Sequence, residues 1–355
     1  MKKFLYIFLS LVLCFLLTAC LRGDTAETEP EEDETPTEES ADDSDASTTA
    51  KDTDSALPDT DAPVTDPPVT LPPAVEYPPA TDAPITVTYP VDPPSATHSG
   101  LPSLPCVEFT VTDPGNSRGL SAERVPFSYG VASNGAPHHI TVSNQSTFDS
   151  YGTNALAWDN KSGERVLYLT FDCGYKFEEL TSNILDTLKE KDVPAAFFCT
   201  LDYLDDEPEV ITRMINEGHI VGNHSTTHPD CTTISREKFA WELLGVHNYM
   251  RANFGYTPKY FRFPTGAFSE DAVELAHSVG YRSVFWSIAY ADWDPYNQQG
   301  TETAYSQVTS RLHPGAVILL HSTSPDNAAI LGRVIDYARS QGYEFRSLDE
   351  YKYWR

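Results

Sequence analysis

The chain has 355 residues and carries 52 acidic against 24 basic side chains, a formal net charge of −28 at pH 7. This charge argues against nucleic acid as a partner, because the phosphate backbone would repel it. The length suffices for one large domain or two small ones. Most of the net negative charge, −18 of −28, lies in residues 21–100, which hold 20 acidic and 2 basic side chains. The excess of acidic side chains is therefore mainly a property of that segment, and it says little about the charge of a functional site in the rest of the chain.

A basic start and an apolar run open the chain. Lys2 and Lys3 precede FLYIFLSLVLCFLLTA, a pattern typical of a secretory signal. The next residue is Cys20, and LTAC resembles the bacterial lipobox, which implies cleavage before Cys20 and lipidation of its thiol. The alternative is an uncleaved membrane helix, since the run is barely long enough to span a bilayer. Residues 1–20 thus predict a lipid-anchored protein on the extracellular side of the cytoplasmic membrane.

Residues 21–104 differ in composition from both flanks. Acidic, Thr, Ser and Pro residues dominate, as in EPEEDETPTEES and TDPPVTLPPAVEYPP. Such a segment buries too little apolar surface to offset the entropy of ordering the chain. We therefore predict a disordered linker, either a tether through part of a cell wall or a plain solvated spacer.

Strand-like and helix-like stretches alternate in the last part of the chain. Residues 105–160 hold the β-like pieces CVEFTV and HHITVS, and we expect an N-terminal extension packed on a main domain at 161–355. Repeated β-α units there predict parallel strands covered by helices. This α/β pattern favours a distorted (β/α) barrel of about seven parallel strands over an open sheet. The predicted strands are 166–171, 195–200, 219–224, 260–264, 281–288, 316–321 and 344–348.

Polar side chains of catalytic type lie in or directly after five of these strands. They are Asp172, the pair Asn223 and His224, Arg262, Asp292 and His321. Because the carboxyl ends of barrel strands meet on one face, we expect these groups to converge on one cleft. Taken singly, Asp172 could merely end a strand or cap the next helix. Five such positions are hard to explain by solubility.

A histidine pair suggests a metal site. His224 and His228 are four residues apart in NHSTTHPD, a spacing that puts both imidazoles on one side of a helical turn. Two histidines with a carboxylate form a common set for zinc or a related divalent ion. A pair at this spacing is a weak metal signal, and the position at a strand end strengthens it.

Five motifs in order resemble those of the polysaccharide deacetylase family, also called the NodB-homology domain or carbohydrate esterase family four. They are LTFDCGY, NHSTTHPD, FRFPTG, SIAYADW and ILLHS, and the similarity covers roughly residues 160–350. The chain looks most like the delta-lactam-biosynthetic branch, which acts on muramic acid in peptidoglycan. The resemblance implies a hydrolase that removes N-acetyl groups from cell-wall amino sugars, most of all N-acetylmuramic acid.

The resemblance also implies roles for individual residues. Asp172 matches the base that activates water, and Arg262 matches the arginine that pairs with it. His321 matches the acid that protonates the leaving amine, and we infer that Asp292 orients it. The implied metal ligands are His224 and His228, and the implied sugar-binding residues are Trp293, Leu319, Pro264 and Gly266.

One residue departs from the family pattern. The broad family has a second Asp after the base, where it ligates metal, and this chain has Cys173. A thiolate is a good zinc ligand, so Cys173 is a candidate third ligand beside His224 and His228. A disulfide to Cys231 and a bystander role are the alternatives. The expected cofactor is a divalent metal, zinc first, although Cys173 leaves metal dependence open.

Other functions stay open on the sequence alone. One is deacetylation of another polysaccharide, such as an N-acetylglucosamine polymer or acetylated xylan. Another is a catalytically weak glycan-binding lipoprotein, which Cys173 motivates and the retained Asp172, Arg262 and His321 count against. In each case the partners are a glycan and, through the lipid anchor, the membrane; nothing implies a protein partner. Four cysteines follow the signal segment, and they form either free thiols or disulfides in one of three pairings.

Overall fold

The structure, a computed structural model, describes residues 77–355. The predicted signal peptide at 1–20 and the linker at 21–76 lie outside these residues. The prediction of disorder is wrong for 77–104. Strand β1 (Ile85–Val87) pairs antiparallel with β2 (Phe109–Val111), and the Leu104 amide donates to the Arg251 carbonyl. The segment is ordered because apolar side chains such as Val87, although sparse, are buried against the domain.

A curled parallel sheet of eight strands forms the centre of the described part. The order is β10-β4-β5-β6-β7-β8-β3, and β9 also pairs with β4. A parallel bridge between Ile288 and Ile318 joins the segment after β8 to β9, which brings the sheet towards closure. The strands are β3 (Ala155–Leu156), β4 (Val166–Cys173), β5 (Ala196–Cys199), β6 (Ile220–Asn223), β7 (Tyr260–Phe261), β8 (Arg282–Val284), β9 (Ala316–His321) and β10 (Glu344–Phe345). The predicted distorted barrel is confirmed, with β3 as an eighth strand.

Eight α-helices accompany these strands within residues 77–355, and none of the eight is long and apolar enough to cross a membrane. Several end at a glycine or another residue in the left-handed conformation, such as Gly255 with φ 62°. The helices are α1 (His139–Tyr151), α2 (Leu180–Lys191), α3 (Leu201–Asp206), α4 (Pro208–Asn216), α5 (Arg236–Phe254), α6 (Glu270–Ser278), α7 (Thr301–Thr309) and α8 (Pro325–Ser340).

The first helix corrects a prediction from the sequence. HHITVS was expected to be β-like, yet it forms the start of α1. The β-branched residues favour a strand locally, but Thr141, Gln145 and Phe148 recur at helical spacing and all three are buried. His138 caps the amino end by accepting from the Ile140 amide. Burial of one helix face has therefore outweighed the local preference.

Strand β4 separates two chemically different surfaces. It is buried along its whole length, as parallel strands covered on both faces usually are. Leu169, Phe171 and Cys173 belong to the apolar layer that packs against helices such as α2 and α8. Because successive side chains point to opposite faces, Thr170 and Asp172 face the other way. The register therefore directs Asp172 into the concave side of the sheet.

The extension at 105–160 is part of the domain core. Phe148 on α1 is fully buried, and its ring lies 4.5 Å from that of Phe285 and 5.0 Å from that of Phe268. Strand β3 adds to the edge of the sheet at β8. These contacts attach the extension to the segment that follows β8, close to the predicted site.

Removing the Phe148 ring should therefore destabilise the whole domain. We expect Phe148→Ala to lower the free energy of unfolding by about 3–5 kcal/mol, because it opens a cavity in a packed core. The matched control is Val142→Ala on the same helix, where the side chain is 42% exposed and the change should stay within about 0.5 kcal/mol. Urea denaturation of both variants measures the difference. Equal stabilities would show that the extension is only loosely attached.

Candidate active site

A buried ion pair lies at the centre of the concave face. Oδ1 of Asp172, at the carboxyl end of β4, accepts from Nη1 of Arg262 at 2.8 Å. Arg262 follows β7, so the pair joins two strands that are not neighbours in the sheet. The arginine is fully buried and Asp172 is 7% exposed. The pair thus sits at the bottom of the site with only a small part of the carboxylate accessible.

The Arg262 guanidinium is held on every side. Nε donates to the Val284 carbonyl at 2.9 Å, and Nη2 donates to Oγ1 of Thr170 at 2.8 Å and to the Phe285 carbonyl at 3.2 Å. The Phe198 ring lies 4.2 Å from its central carbon. A buried charge is tolerated when it is paired and fully hydrogen-bonded. Arg262 therefore presents a fixed positive charge to Asp172.

This surrounding keeps Asp172 ionised. Burial raises the pKa of its carboxyl group, and the charge of Arg262 is the largest of the effects that lower it. The pKa of Asp172 consequently lies below its usual value. With Oδ1 engaged by Arg262, Oδ2 remains as an acceptor that faces the site.

A second carboxylate holds a histidine across from the first pair. His321 ends β9 and lies in register with Asp172 on the neighbouring β4. Its Nδ1 is 2.7 Å from Oδ1 of Asp292, and its backbone amide donates to Oδ2 of the same residue at 2.8 Å. Asp292 is 1% exposed, whereas the His321 side chain is 24% exposed. The arrangement leaves Nε2 of His321 as the ring nitrogen that is free to meet a substrate.

Burial of the His321 ring would lower its pKa, but Asp292 more than offsets that effect, and Asp172 adds to it. The pKa of His321 is therefore raised, which favours the protonated ring. One carboxylate and one imidazolium in neighbouring strands are a base and an acid held in opposite protonation states. Such a pair can take a proton from water and give one to a leaving group.

Asn327, which orients Asp292, was not predicted from the sequence. Asn327, near the amino end of α8, donates to Oδ2 of Asp292 at 2.6 Å and to the His321 carbonyl at 3.1 Å. Tyr290 in turn donates to Oδ1 of Asn327 at 2.5 Å. The position of Asn327, six residues after the His321 that ends the ILLH run, is the signal that could have identified it.

The histidine pair is placed side by side, but not by a helical turn. Residues 224–228 form a loop in which Ser225 has φ 70° and His228 has φ 56°. The loop is closed by the His228 amide, which donates to the Ser225 hydroxyl at 3.0 Å, and by the Ser225 amide, which donates to Asn223 at 2.8 Å. The ring centroids of His224 and His228 are 4.9 Å apart. The spacing therefore predicted the right neighbours for a wrong structural reason.

The His224 ring is suited to bind a metal ion. Its Nδ1 lies 2.9 Å from the Arg262 carbonyl, which directs Nε2 into the site, 3.7 Å from Oδ2 of Asp172. Metal-ligating histidines usually have such a backbone partner on the other nitrogen. Burial lowers the pKa of His224, which favours the neutral ring that binds metals. Residues 77–355 contain no cluster of three or more His, Cys, Asp or Glu side chains arranged for a metal.

The prediction that Cys173 is a third metal ligand is wrong. Its side chain is fully buried in the apolar layer with Phe171 and Cys199, on the face of β4 opposite to Asp172. Because side chains alternate along a regular strand and β4 extends to Cys173, this side chain faces away from the site that Asp172 faces. The four cysteines of the described part, Cys106, Cys173, Cys199 and Cys231, are free thiols.

The predicted sugar-binding residues lie in two places. Trp293 is 60% exposed, and its ring centroid is 6.4 Å from that of His321. Leu319, two residues before His321 on β9, shares its face of the strand. Pro264 and Gly266 form a turn after Arg262, with both residues buried. A Cβ on Gly266 would approach Trp286 to 2.7 Å, so this glycine makes room for an aromatic ring that covers Arg262.

Comparison with known proteins gives a consistent result. Residues 159–284 match the model of the family described as polysaccharide deacetylase. The chain is 42% identical over 188 residues to the peptidoglycan-N-acetylmuramic acid deacetylase PdaA of Bacillus subtilis strain 168, a span of 53% of this chain and 71% of that protein.

Solved structures agree with this match. Bacillus subtilis PdaA, a family 4 carbohydrate esterase, has a TM-score of 0.59 and 35% identity, covering 65% of this chain and 97% of that one. A family 4 carbohydrate esterase from Bacillus anthracis has a TM-score of 0.53 and 36% identity with the same coverage. The chain therefore belongs to the polysaccharide deacetylase family.

Proposed function

We propose that this protein hydrolyses the N-acetyl groups of cell-wall amino sugars, with N-acetylmuramic acid of peptidoglycan as the substrate. The observation that carries the proposal is that Asp172 and His321 lie in register on the adjacent strands β4 and β9. Each has a charged partner, which is Arg262 for Asp172 and Asp292 for His321. The choice of sugar is supported by 42% identity to a protein named for N-acetylmuramic acid deacetylation.

The residues fit the requirements of amide hydrolysis. An acetamide is a poor electrophile, so the attacking water must lose a proton, and Oδ2 of Asp172 is available to accept it. An amine is a poor leaving group, so its nitrogen must gain a proton as the carbon–nitrogen bond breaks. Nε2 of His321 can donate that proton, since Nδ1 is held by Asp292. Arg262 keeps Asp172 charged, and Asn327 keeps Asp292 in place.

Members of this family depend on a metal ion, and we propose a divalent ion, zinc first, held by His224 and His228. The neighbouring imidazoles and the oriented Nε2 of His224 support this assignment. When bound, such an ion polarises the acetamide carbonyl and the attacking water. The ligand set lacks a third residue at position 173, so we expect the protein to hold its metal more weakly than a site with three protein ligands.

We also propose that the protein is anchored to the outer side of the cytoplasmic membrane through lipid on Cys20. The basic residues Lys2 and Lys3, the apolar run and the LTAC sequence support this location. It would place the enzyme beside its polymeric substrate. Metabolic labelling with a fatty-acid analogue, compared between the natural chain and Cys20→Ala, tests this proposal.

Incubation of the purified protein with glycans tests the activity directly. We expect acetate release from peptidoglycan and, by mass spectrometry, loss of acetyl from the muramic acid. Chitin-type oligomers and acetylated xylan serve as comparison substrates. Faster release from one of those would assign a different polysaccharide. No release from any polymer, together with retained glycan binding, would show a binding protein.

Asp172→Asn should lower kcat by about 10²–10⁴-fold, because an amide cannot act as the base. The substitution also leaves the buried Arg262 without its counter-charge, which costs about 3–5 kcal/mol of stability. Activity should therefore be measured at a temperature where circular dichroism shows a folded protein. The control is Asp336→Asn, an exposed carboxylate on α8 that pairs with Lys191. Near-normal activity of Asp172→Asn would place the base elsewhere.

The pH profile of kcat/KM should be a broad bell. The acidic limb should lie below the usual aspartate value of 3.8, since the pKa of Asp172 is lowered and the base must be ionised. The alkaline limb should lie above the usual histidine value of 6.5, since the pKa of His321 is raised and the acid must be protonated. Asp292→Asn removes the main interaction that raises the pKa of His321, so the alkaline limb of this variant should move to lower pH. An unchanged alkaline limb would mean that His321 is not the group observed.

The metal content of two variants should distinguish the role of His224 from that of Cys173. We expect His224→Ala to lose bound metal after dialysis, because the oriented imidazole is absent. Cys173→Ala should keep the same metal stoichiometry, because that side chain faces the apolar layer. Elemental analysis of the folded variants gives both values. Loss of metal from Cys173→Ala alone would overturn the assigned orientation of the two side chains.

A further inference from the structure

We propose that Tyr175, Phe177 and Tyr296, here called the aromatic rim, bind the neutral N-acetylhexosamine ring that neighbours the reacting sugar in a peptidoglycan strand. The inference rests on the proposed function, because it assigns a second sugar position to the same site. None of the three residues belongs to the groups that perform the reaction.

The rim is assembled from two loops that also carry catalytic residues. Tyr175 and Phe177 follow Asp172 after β4, whereas Tyr296 lies four residues after Asp292. The rings of Phe177 and Tyr296 meet edge to face at 5.3 Å. This contact joins the loop that follows Asp172 to the loop that follows Asp292.

Both loops that carry the rim approach His321. The Tyr175 hydroxyl lies near the side chain of Thr323, two residues after His321. On the other loop, Trp293 lies three residues before Tyr296, with its ring 6.4 Å from that of His321. A sugar ring on the rim would therefore be a neighbour of the sugar that His321 protonates.

The exposure of the rim points to a ligand. Four large aromatic side chains in the described part are more than about a third exposed, and they are Tyr175 at 49%, Trp293 at 60%, Tyr296 at 88% and Tyr337 at 36%. Single exposed aromatic residues are common, but clustered ones mark binding surfaces. Three of these four lie at the mouth of one site.

The loop that carries Tyr296 is held in position. Nε2 of Gln298 donates to the carbonyls of Asp292 and Asp294, at 3.1 and 2.6 Å. Oε1 of Gln298 accepts from the Ser324 hydroxyl at 2.5 Å, and the Tyr296 amide donates to Oδ1 of Asp294 at 3.0 Å. A ring presented by such a loop loses little conformational freedom when it binds.

The charge around the rim selects a neutral ligand. Asp294 lies close enough to Tyr175 to help raise the pKa of its phenol, after the larger effect of burial. Lys176, the basic residue beside Tyr175, is paired with Glu207 at 3.0 Å and with Glu179 at 3.3 Å. A carboxylate can accept hydrogen bonds from sugar hydroxyls, and aromatic faces attract the C–H bonds of a sugar ring. The same carboxylate repels the free lactyl carboxylate of an unsubstituted muramic acid and the acidic stem peptide of a substituted one.

The test compares Tyr296→Ala with Tyr337→Ala, an exposed tyrosine on α8. Tyr296→Ala should raise KM for glycan strands about three- to tenfold and leave kcat within about twofold, because it removes one aromatic contact. Tyr337→Ala should match the natural protein. Melting temperatures should agree among all three proteins, since both side chains are exposed. Equal KM values for the two variants, with acetate still released, would overturn the rim assignment and leave the proposed function intact.

A binding measurement keeps the two proposals separable. In the Asp172→Asn background, Tyr296→Ala should raise Kd for an N-acetylglucosamine tetramer about three- to tenfold, followed by tryptophan fluorescence. If the natural protein releases no acetate while this difference persists, the proposed function fails and the rim stands. The effect of Tyr296→Ala should be equal on strands with and without stem peptides. An effect seen only with stem peptides would show that the rim binds peptide, which would overturn the inference.

Discussion

The buried Arg262 guanidinium is the constraint on which the site depends. Placing a charge out of water costs several kcal/mol unless every donor finds a partner. Arg262 finds them on Asp172 and Thr170 of β4 and on two carbonyls of the segment that includes Val284 and Phe285. These partners come from opposite sides of the curled sheet, so the arginine is satisfied only when the strands adopt this curvature. The interaction that ionises the proposed base also fixes the shape of the surrounding barrel.

The two carboxylates of the site differ through the partners they have. Asp172 is paired with a group that is always charged, so its ionisation does not depend on a second titration. Asp292 is paired with His321, whose charge can be lost and regained. During turnover Asp172 gains a proton and His321 loses one, whereas the charge of Arg262 stays constant. The difference between the two pairs follows from the partner of each carboxylate, which is an arginine for Asp172 and a histidine for Asp292.

Much of this arrangement could be predicted from the sequence, because buried parallel strands are nearly continuous apolar runs that end at polar residues. VLYLTF and AVILLH are such runs, and their ends place Asp172 and His321 on one face. Three features could not be predicted from the sequence, since each depends on partners that are distant in the chain. They are the ordered structure of 77–104, the helix at 139–151 and the loop at 224–228. Gly266 likewise makes sense only once Trp286 is known to lie against it.

The orientation of Cys173 follows from the length of β4, because a residue that neighbours Asp172 on a regular strand faces the opposite side. The predicted strand ended at residue 171, so the sequence alone did not exclude Cys173 as a ligand. The pairing of β4 with β5 continues through Cys173 and Cys199, so the strand keeps its alternation to the last residue. This orientation leaves His224 and His228 as the proposed ligands for a metal ion.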